Sequence, residues 1–136
     1  MRPDVFLPGT WTVRRELEDA ALGRGSFAGR ATFRPTRDGL VWEERGRLRL
    51  GAYDGPGGRT LHVVRERAGG WAVRFADGRA FHPLDLATGA CRVRHPCGDD
   101  AYEGRYAIAG PDALEVRWLV RGPAKRQRIA SRYRRA

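Results

Sequence analysis

Residues 71–106 read WAVRFADGRAFHPLDLATGACRVRHPCGDDAYEGRY, and their turns decide the fold. Asp77-Gly78 between alternating apolar residues is a two-residue hairpin signal, because both central positions favour positive φ. With that turn, Ala76 pairs with Arg79, Val73 faces His82 and Trp71 faces Leu84. Strand side chains alternate between faces. Trp71, Val73, Phe75, Ala80, His82, Leu84 and Leu86 then share one side, apolar except for His82.

Thr88-Gly89 marks the next turn. One register keeps Leu84 and Leu86 with Cys91 and Val93; the other sets them against Arg92 and Arg94, which a buried face resists. The first register puts His82 opposite His95. Past Gly98-Asp99-Asp100, the same parity sets Cys97 near Tyr102 and His95 near Gly104. The expectation is a cluster of His82, His95, Cys97 and Tyr102 on the buried face of three adjacent strands, provided no bulge intervenes.

The alternation extends in both directions. Val5-Phe6-Leu7-Pro8 is a short apolar lead-in, read as a helical turn. The first strand, residues 9–18, carries Trp11, Val13 and Leu17 on one face with Arg15 between them. Phe27, Gly29, Ala31 and Phe33 alternate with Ala28, Arg30, Thr32 and Arg34. The third strand places Leu40, Trp42, Glu44, Gly46, Leu48 and Leu50 on the core parity. Glu44 therefore points inward, unless it reaches water past Gly46; a buried carboxylate is costly unless paired or protonated.

Residues 51–58 (GAYDGPGG) read as a connecting loop and a candidate rim or lid. Residues 60–67 form a strand of open register: either Leu61 and Val63 face in, or His62 and Val64 do. Leu114, Val116, Trp118 and Val120 face inward later. The last strand, residues 125–134, has Lys125, Gln127, Ile129, Ser131 and Tyr133 on one parity and arginines on the other. No segment keeps a helical period. About ten short strands, each with one apolar face, imply an all-β, up-and-down antiparallel barrel of about 8–10 strands. Residues 1–136 suit one domain, closed around space for one small ligand.

The net charge of +10 is almost entirely arginine, Lys125 being the only lysine. Abundant Gly, Ala, Arg and Pro is what a GC-rich genome writes, so a solvated basic surface is the favoured reading. Nucleic acid ranks low, because aromatic faces are scarce among the basic residues of the last strand. No run approaches the roughly 20 apolar residues of a membrane span, and the N-terminus lacks the shape of a signal peptide. Cys91 and Cys97, about 20 Å apart along one strand, are expected as free thiols. These features point to the cytoplasm and to no membrane partner.

Several motifs point to a family. Gly9-Thr10-Trp11 on the first strand, with the Arg-rich Ser131-Arg132-Tyr133-Arg134 on the last, resembles the lipocalin superfamily. The wider set is Phe6-Leu7-Pro8 before that Gly-Thr-Trp, Asp77-Gly78-Arg79 with Phe81-His82 and Leu84-Asp85-Leu86, His95 and Cys97 with Asp100, Tyr102 and Gly104, and Gly122-Pro123 with Lys125. Together they resemble small bacterial lipocalin-like barrels of unknown function. The resemblance spans essentially the whole chain and implies a calycin barrel of the lipocalin and fatty-acid-binding-protein type, in which an Arg from the final strand packs on the first Trp. It implies no reaction.

For function, the residues support a small-molecule-binding barrel first. Trp42, Trp71 and Trp118 would line it; Glu44, His82, His95, Cys97, Tyr102, Tyr106 and Lys125 would supply polar contacts to a hydrophobic, aromatic or anionic ligand. Lys125, facing inward, would pair with a ligand acid or with Glu44. The alternative is an acid–base enzyme of isomerase, cyclase or hydratase type, with His82, His95, Glu44 and Tyr102 moving protons. A haem or metal site is the second alternative; no tight ligand spacing appears, so no metal ligand and no cofactor is assigned. A homodimer is left open.

Overall fold

Each strand has one apolar face to bury, and a run of such strands covers those faces by curling onto itself. The computed structural model describes all residues, 1–136. A one-turn helix α1 (Pro3–Phe6) precedes ten strands: β1 (Gly9–Asp19), β2 (Gly23–Pro35), β3 (Gly39–Leu50), β4 (Tyr53–Arg65), β5 (Trp71–Phe75), β6 (Ala80–Leu84), β7 (Ala90–Cys97), β8 (Asp100–Gly110), β9 (Ala113–Arg121) and β10 (Arg126–Arg135). They form one sheet in the order β6-β5-β4-β3-β2-β1-β10-β9-β8-β7. This is the expected up-and-down barrel, with β10 returning to pair with β1. The barrel is nearly closed: β6 and β7 meet without a hydrogen-bonded ladder.

One end is sealed. The Trp11 indole N–H donates to the Leu7 carbonyl at 2.9 Å. The Arg135 guanidinium lies 4.2 Å from the Trp11 ring centre and donates to the carbonyls of Pro8 and Phe6 at 2.9 and 2.8 Å. The basic residue expected to cross the closed end is therefore Arg135, one position beyond Arg134. Phe6, Trp11, Phe33 and Trp42 continue ring to ring into the core.

The other end has a low wall on one side. β5 and β6 have five residues each, against 13 in β4. β5 pairs only with residues 61–65 of β4. Residues 53–60 of β4 therefore have a ladder on the β3 side alone, and the interior opens past that free edge. Pro56 fits there because an unpaired edge asks for no N–H.

That stretch corrects a reading of the sequence. Residues 53–58 are strand, not loop; the chain turns at Gly51-Ala52 instead. Its glycines, read as breakers, serve close approach. A Cβ on Gly58 would stand 2.5 Å from the Glu44 carbonyl oxygen, and one on Gly57 3.0 Å from Leu48 Cβ. The open register of the following residues resolves with Leu61 and Val63 buried.

The Asp77-Gly78 hairpin exists, but its turn is longer by one residue. Phe75 N–H donates to the Arg79 carbonyl and Gly78 N–H to the Phe75 carbonyl, both at 2.9 Å, so Ala76, Asp77 and Gly78 form the loop. Only Gly78 has positive φ. Arg74 then pairs with Ala80 while Val73 pairs with His82, which leaves Phe81 as a bulge. The extra loop residue and the extra strand residue cancel. The Trp71–Leu84 and Val73–His82 pairs stand as expected, whereas Ala80 is exposed and Phe81 packs against the core.

Gly29 and Gly46 face each other across β2 and β3. A Cβ on Gly46 would overlap the Ala28 carbonyl and the Gly29 Cα, which are backbone atoms with no rotamer to yield. Gly46→Ala should cost about 1–3 kcal/mol, the usual range for forced overpacking. Urea denaturation monitored by tryptophan fluorescence checks this; an unchanged midpoint would contradict it.

Candidate functional site

Glu44 is the centre. It lies on the inward parity of β3, as the alternation requires, and is 1% exposed. A bare carboxylate there would be expensive, and the register supplies its partners. Arg59 sits directly opposite on β4 and donates Nε–H to Oε1 at 3.0 Å. Arg15 reaches the same oxygen from β1 at 2.9 Å. The inward positions of β2 between them are Gly29 and Ala31. The Trp42 indole N–H donates to Oε2 at 3.0 Å, and the Tyr133 hydroxyl donates to the same oxygen. Arg15 also bonds Ser131 Oγ at 2.7 Å and the Tyr133 oxygen at 3.0 Å.

Burial would raise the Glu44 carboxyl. The charges of Arg59 and Arg15 and the Tyr133 hydrogen bond outweigh it and hold the group at about 2. Burial likewise opposes the charge of Arg59, but Tyr133 and Glu44 keep its proton bound more firmly than usual. Tyr133 and Tyr106 are pushed up by burial and stay neutral. The centre thus holds two guanidiniums and one carboxylate, an excess of one positive charge.

Not every guanidinium hydrogen is used. The Nη1 atoms of Arg15 and Arg59 have no partner, yet no buried side-chain nitrogen or oxygen lacks one. These donors therefore face accessible space. The Arg59 side chain is 34% exposed, beside the free edge of β4.

A second group adjoins the centre. His82 on β6 is 3% exposed. Its Nδ1 lies 2.7 Å from the Pro83 carbonyl, which can only accept, so Nδ1 carries the hydrogen. Nε2 is then the acceptor for the Tyr106 hydroxyl at 3.1 Å. Burial lowers the imidazole to about 4, against a partial pull upward from the Pro83 carbonyl. Phe75, Phe81 and Trp118 stack in a column above it, with centroids 4.5 and 5.2 Å apart.

The residues picked out from sequence divide. Trp42, Glu44, His82, Tyr106 and Trp118 line the interior together. His95 and Tyr102 are half-buried at the open end, where they face one another across β7 and β8. That pairing is two residues from the expected His95–Gly104 pair. His82 does not face His95: β6 and β7 are unpaired, and Phe81 stands between, its carbonyl accepting from His95 Nδ1 at 3.0 Å. Cys97 is exposed opposite Asp100. Lys125 is exposed and bonds Tyr102 at 3.3 Å, not Glu44. Trp71 packs half-buried at the sealed end.

Arg15, Arg59, Ser131 and Tyr133 join this centre without being singled out by the sequence. Three of them stand on inward parities that the sequence displays, and the fourth, Arg59, follows once residues 53–60 are known to be strand. No group of three or more His, Cys, Asp or Glu side chains is placed to hold a metal ion. No helix is long and apolar enough to cross a membrane.

A model of a family of unknown function, DUF6314, matches residues 7–135. The chain belongs to that family. No curated protein matches its sequence significantly. Among solved structures, this DUF6314 barrel is similar to an S-type phycobiliprotein lyase from Guillardia theta, 11% identical over 95% of this chain and 88% of that one, with a TM-score of 0.65. A de novo designed fluorescence-activating β-barrel is 16% identical over 100% and 99% of the two chains, with a TM-score of 0.55. A redesigned barrel bound to DFHBI is 15% identical over 99% and 100%, with a TM-score of 0.50. At these identities the likeness establishes the fold.

Acid should destabilise the barrel over two pH ranges. The His82 imidazole is near 4 when folded, against an ordinary value of 6.5, so the unfolded chain binds the proton first and stability falls as pH drops from 6.5 towards 4. Glu44, near 2 against an ordinary 4.5, adds a second loss from 4.5 downward, because its carboxylate must protonate on unfolding. The first stage should remove about 2–3 kcal/mol. Urea titrations at stepped pH check this, and His82→Gln should flatten the pH 6.5–4.5 stage alone.

Proposed function

We propose that the barrel binds a small molecule with an anionic group and a flat apolar body. The observation that carries this reading is the imbalance at Glu44: two guanidiniums share one carboxylate, with donors left over beside an opening. An anionic group seated on the Nη1 atoms of Arg15 and Arg59 neutralises the excess charge with strong hydrogen bonds. Phe81, Trp118 and Phe27 offer ring faces and edges for the apolar body, the mixture ligand pockets use. Structural neighbours include a barrel bound to DFHBI and a designed fluorescence-activating barrel, which supports a small-molecule role for this shape. The two free thiols suit a reducing compartment, and the reading sets the protein in the cytoplasm.

Acid–base catalysis by His82, His95, Glu44 and Tyr102 is less favoured. Glu44 is held ionised far below neutrality, and His82 Nε2 is already engaged by Tyr106.

Two fluorescent probes test the proposal. 8-Anilinonaphthalene-1-sulfonate and N-phenyl-1-naphthylamine share one aromatic body, and only the first carries an anion. Wild type should prefer the sulfonate. Arg59→Gln should weaken it about tenfold, roughly 1.4 kcal/mol, and leave the neutral probe unchanged. Glu44→Gln, with circular dichroism confirming the fold, should tighten the sulfonate. Equal affinity for both probes, or no effect of Arg59→Gln, would refute the anionic site.

A further inference from the structure

The charge on the outside of the barrel is unevenly distributed. β10 presents Arg126, Arg128, Arg132 and Arg134 outward, and β9 presents Arg117 and Arg121. β8 adds Arg105, β7 adds Arg92 and Arg94, and every one of these arginines is exposed. The acids on the same outward parity are Glu103 and Glu115. Arg94 and Glu103, at 3.9 Å, make the only ion pair. The wall of β1 to β4 differs. Glu16, Glu18, Glu43 and Asp54 are interleaved with its arginines, and Arg34–Glu43 and Arg47–Asp54 pair at 2.9 and 2.7 Å.

Like charges meet across this wall, although Arg94 faces Glu103 and Arg132 faces Glu115. Arg92 faces Arg105, which faces Arg117, and Arg121 faces Arg126. Neighbouring strands are about 4.8 Å apart, and like charges set directly opposite destabilise a sheet. Genomic composition accounts for many arginines, but not for setting three abreast on one wall that carries only two acids, Glu103 and Glu115.

We propose that the outer face of β7 to β10 docks on the phosphate backbone of a double-stranded nucleic acid. The charges ask for a dense polyanion, and the other outward side chains narrow its kind. They include Ala101, Ala107, Leu119 and Ala130, with no aromatic ring. Single strands need rings for base stacking. Lipid surfaces favour an apolar wedge, and protein interfaces an apolar or aromatic centre. The exposed large hydrophobics, Met1, Val5, Leu22 and Tyr53, all lie off this face. A groove of about 610 Å³ crosses the wall between Arg92, Arg105, Arg117 and Arg128; Glu16, Glu18 and Glu103 also line it, as does Trp118, whose side chain belongs to the inward parity and is buried. Contacts confined to phosphates position a duplex without reading its sequence. Sequence ranks nucleic acid low on two grounds, an arginine content that composition explains and scarce aromatics; the second does not bear on a duplex.

Fluorescence anisotropy with a labelled 20-base-pair DNA duplex tests this on the full chain. Wild type should bind with a strong inverse dependence on salt. Arg105→Glu with Arg117→Glu should weaken binding at least about tenfold at low salt and lower the salt slope by about 2, the share of two phosphate contacts. Arg30→Glu with Arg45→Glu is the control: these arginines also face each other, on β2 and β3, and the charge change is the same. It should cost under about threefold. Equal losses from both pairs would overturn the proposal in favour of net charge alone. So would an absence of duplex binding, or binding to phosphatidylserine vesicles or single strands in preference to the duplex. Retained sulfonate-probe binding in both double variants would confirm that they fold.

Discussion

The buried Glu44 carboxylate is the constraint on which the interior depends. Its charge cannot be left alone in an apolar core, so it commits four strands to one register. Arg59 must stand opposite it on β4, Arg15 must reach it from β1, and Tyr133 must meet it from β10. Removing one partner from such a group typically costs about 3–5 kcal/mol, since the remaining charges stay buried and uncompensated. The inward residues of β2 beside this group, Gly29 and Ala31, are small, and a Cβ on Gly29 would overlap the Arg45 carbonyl of β3.

The two ends of the barrel differ in how fully their polar groups are used. The sealed end, with Phe6, Trp11, Phe33 and Arg135, is packed and hydrogen-bonded without surplus. The centre is satisfied as well, yet it keeps unspent donors and an unbalanced charge beside the low wall. The short β5–β6 hairpin creates both the opening and the aromatic column, since its bulge turns Phe81 inward onto Trp118.

Two registers of charge coexist in this basic chain. Inside, two arginines are neutralised in part by one acid and held in place by hydrogen bonds. Outside, on β7 to β10, arginines are stacked in rows with almost no acids. The first is a buried, hydrogen-bonded cluster, the second an open, exposed surface. Nothing in their geometry couples them.

Sequence alone determined the class of fold, most of the inward set and the inward position of Glu44. All three follow from period-two alternation, which each strand carries locally and which needs no knowledge of its neighbours. Tertiary structure decided what alternation cannot encode. Whether Gly and Pro at residues 53–58 break a strand or permit close approach depends on the strand beside them. Whether Asp77-Gly78 makes a two- or three-residue turn depends on a compensating bulge at Phe81. Which basic residue meets Glu44 depends on register across several strands, so Arg15 and Arg59 took the role that parity alone had offered to Lys125. Partners distant in sequence are chosen by pairing, and pairing is a property of the closed barrel.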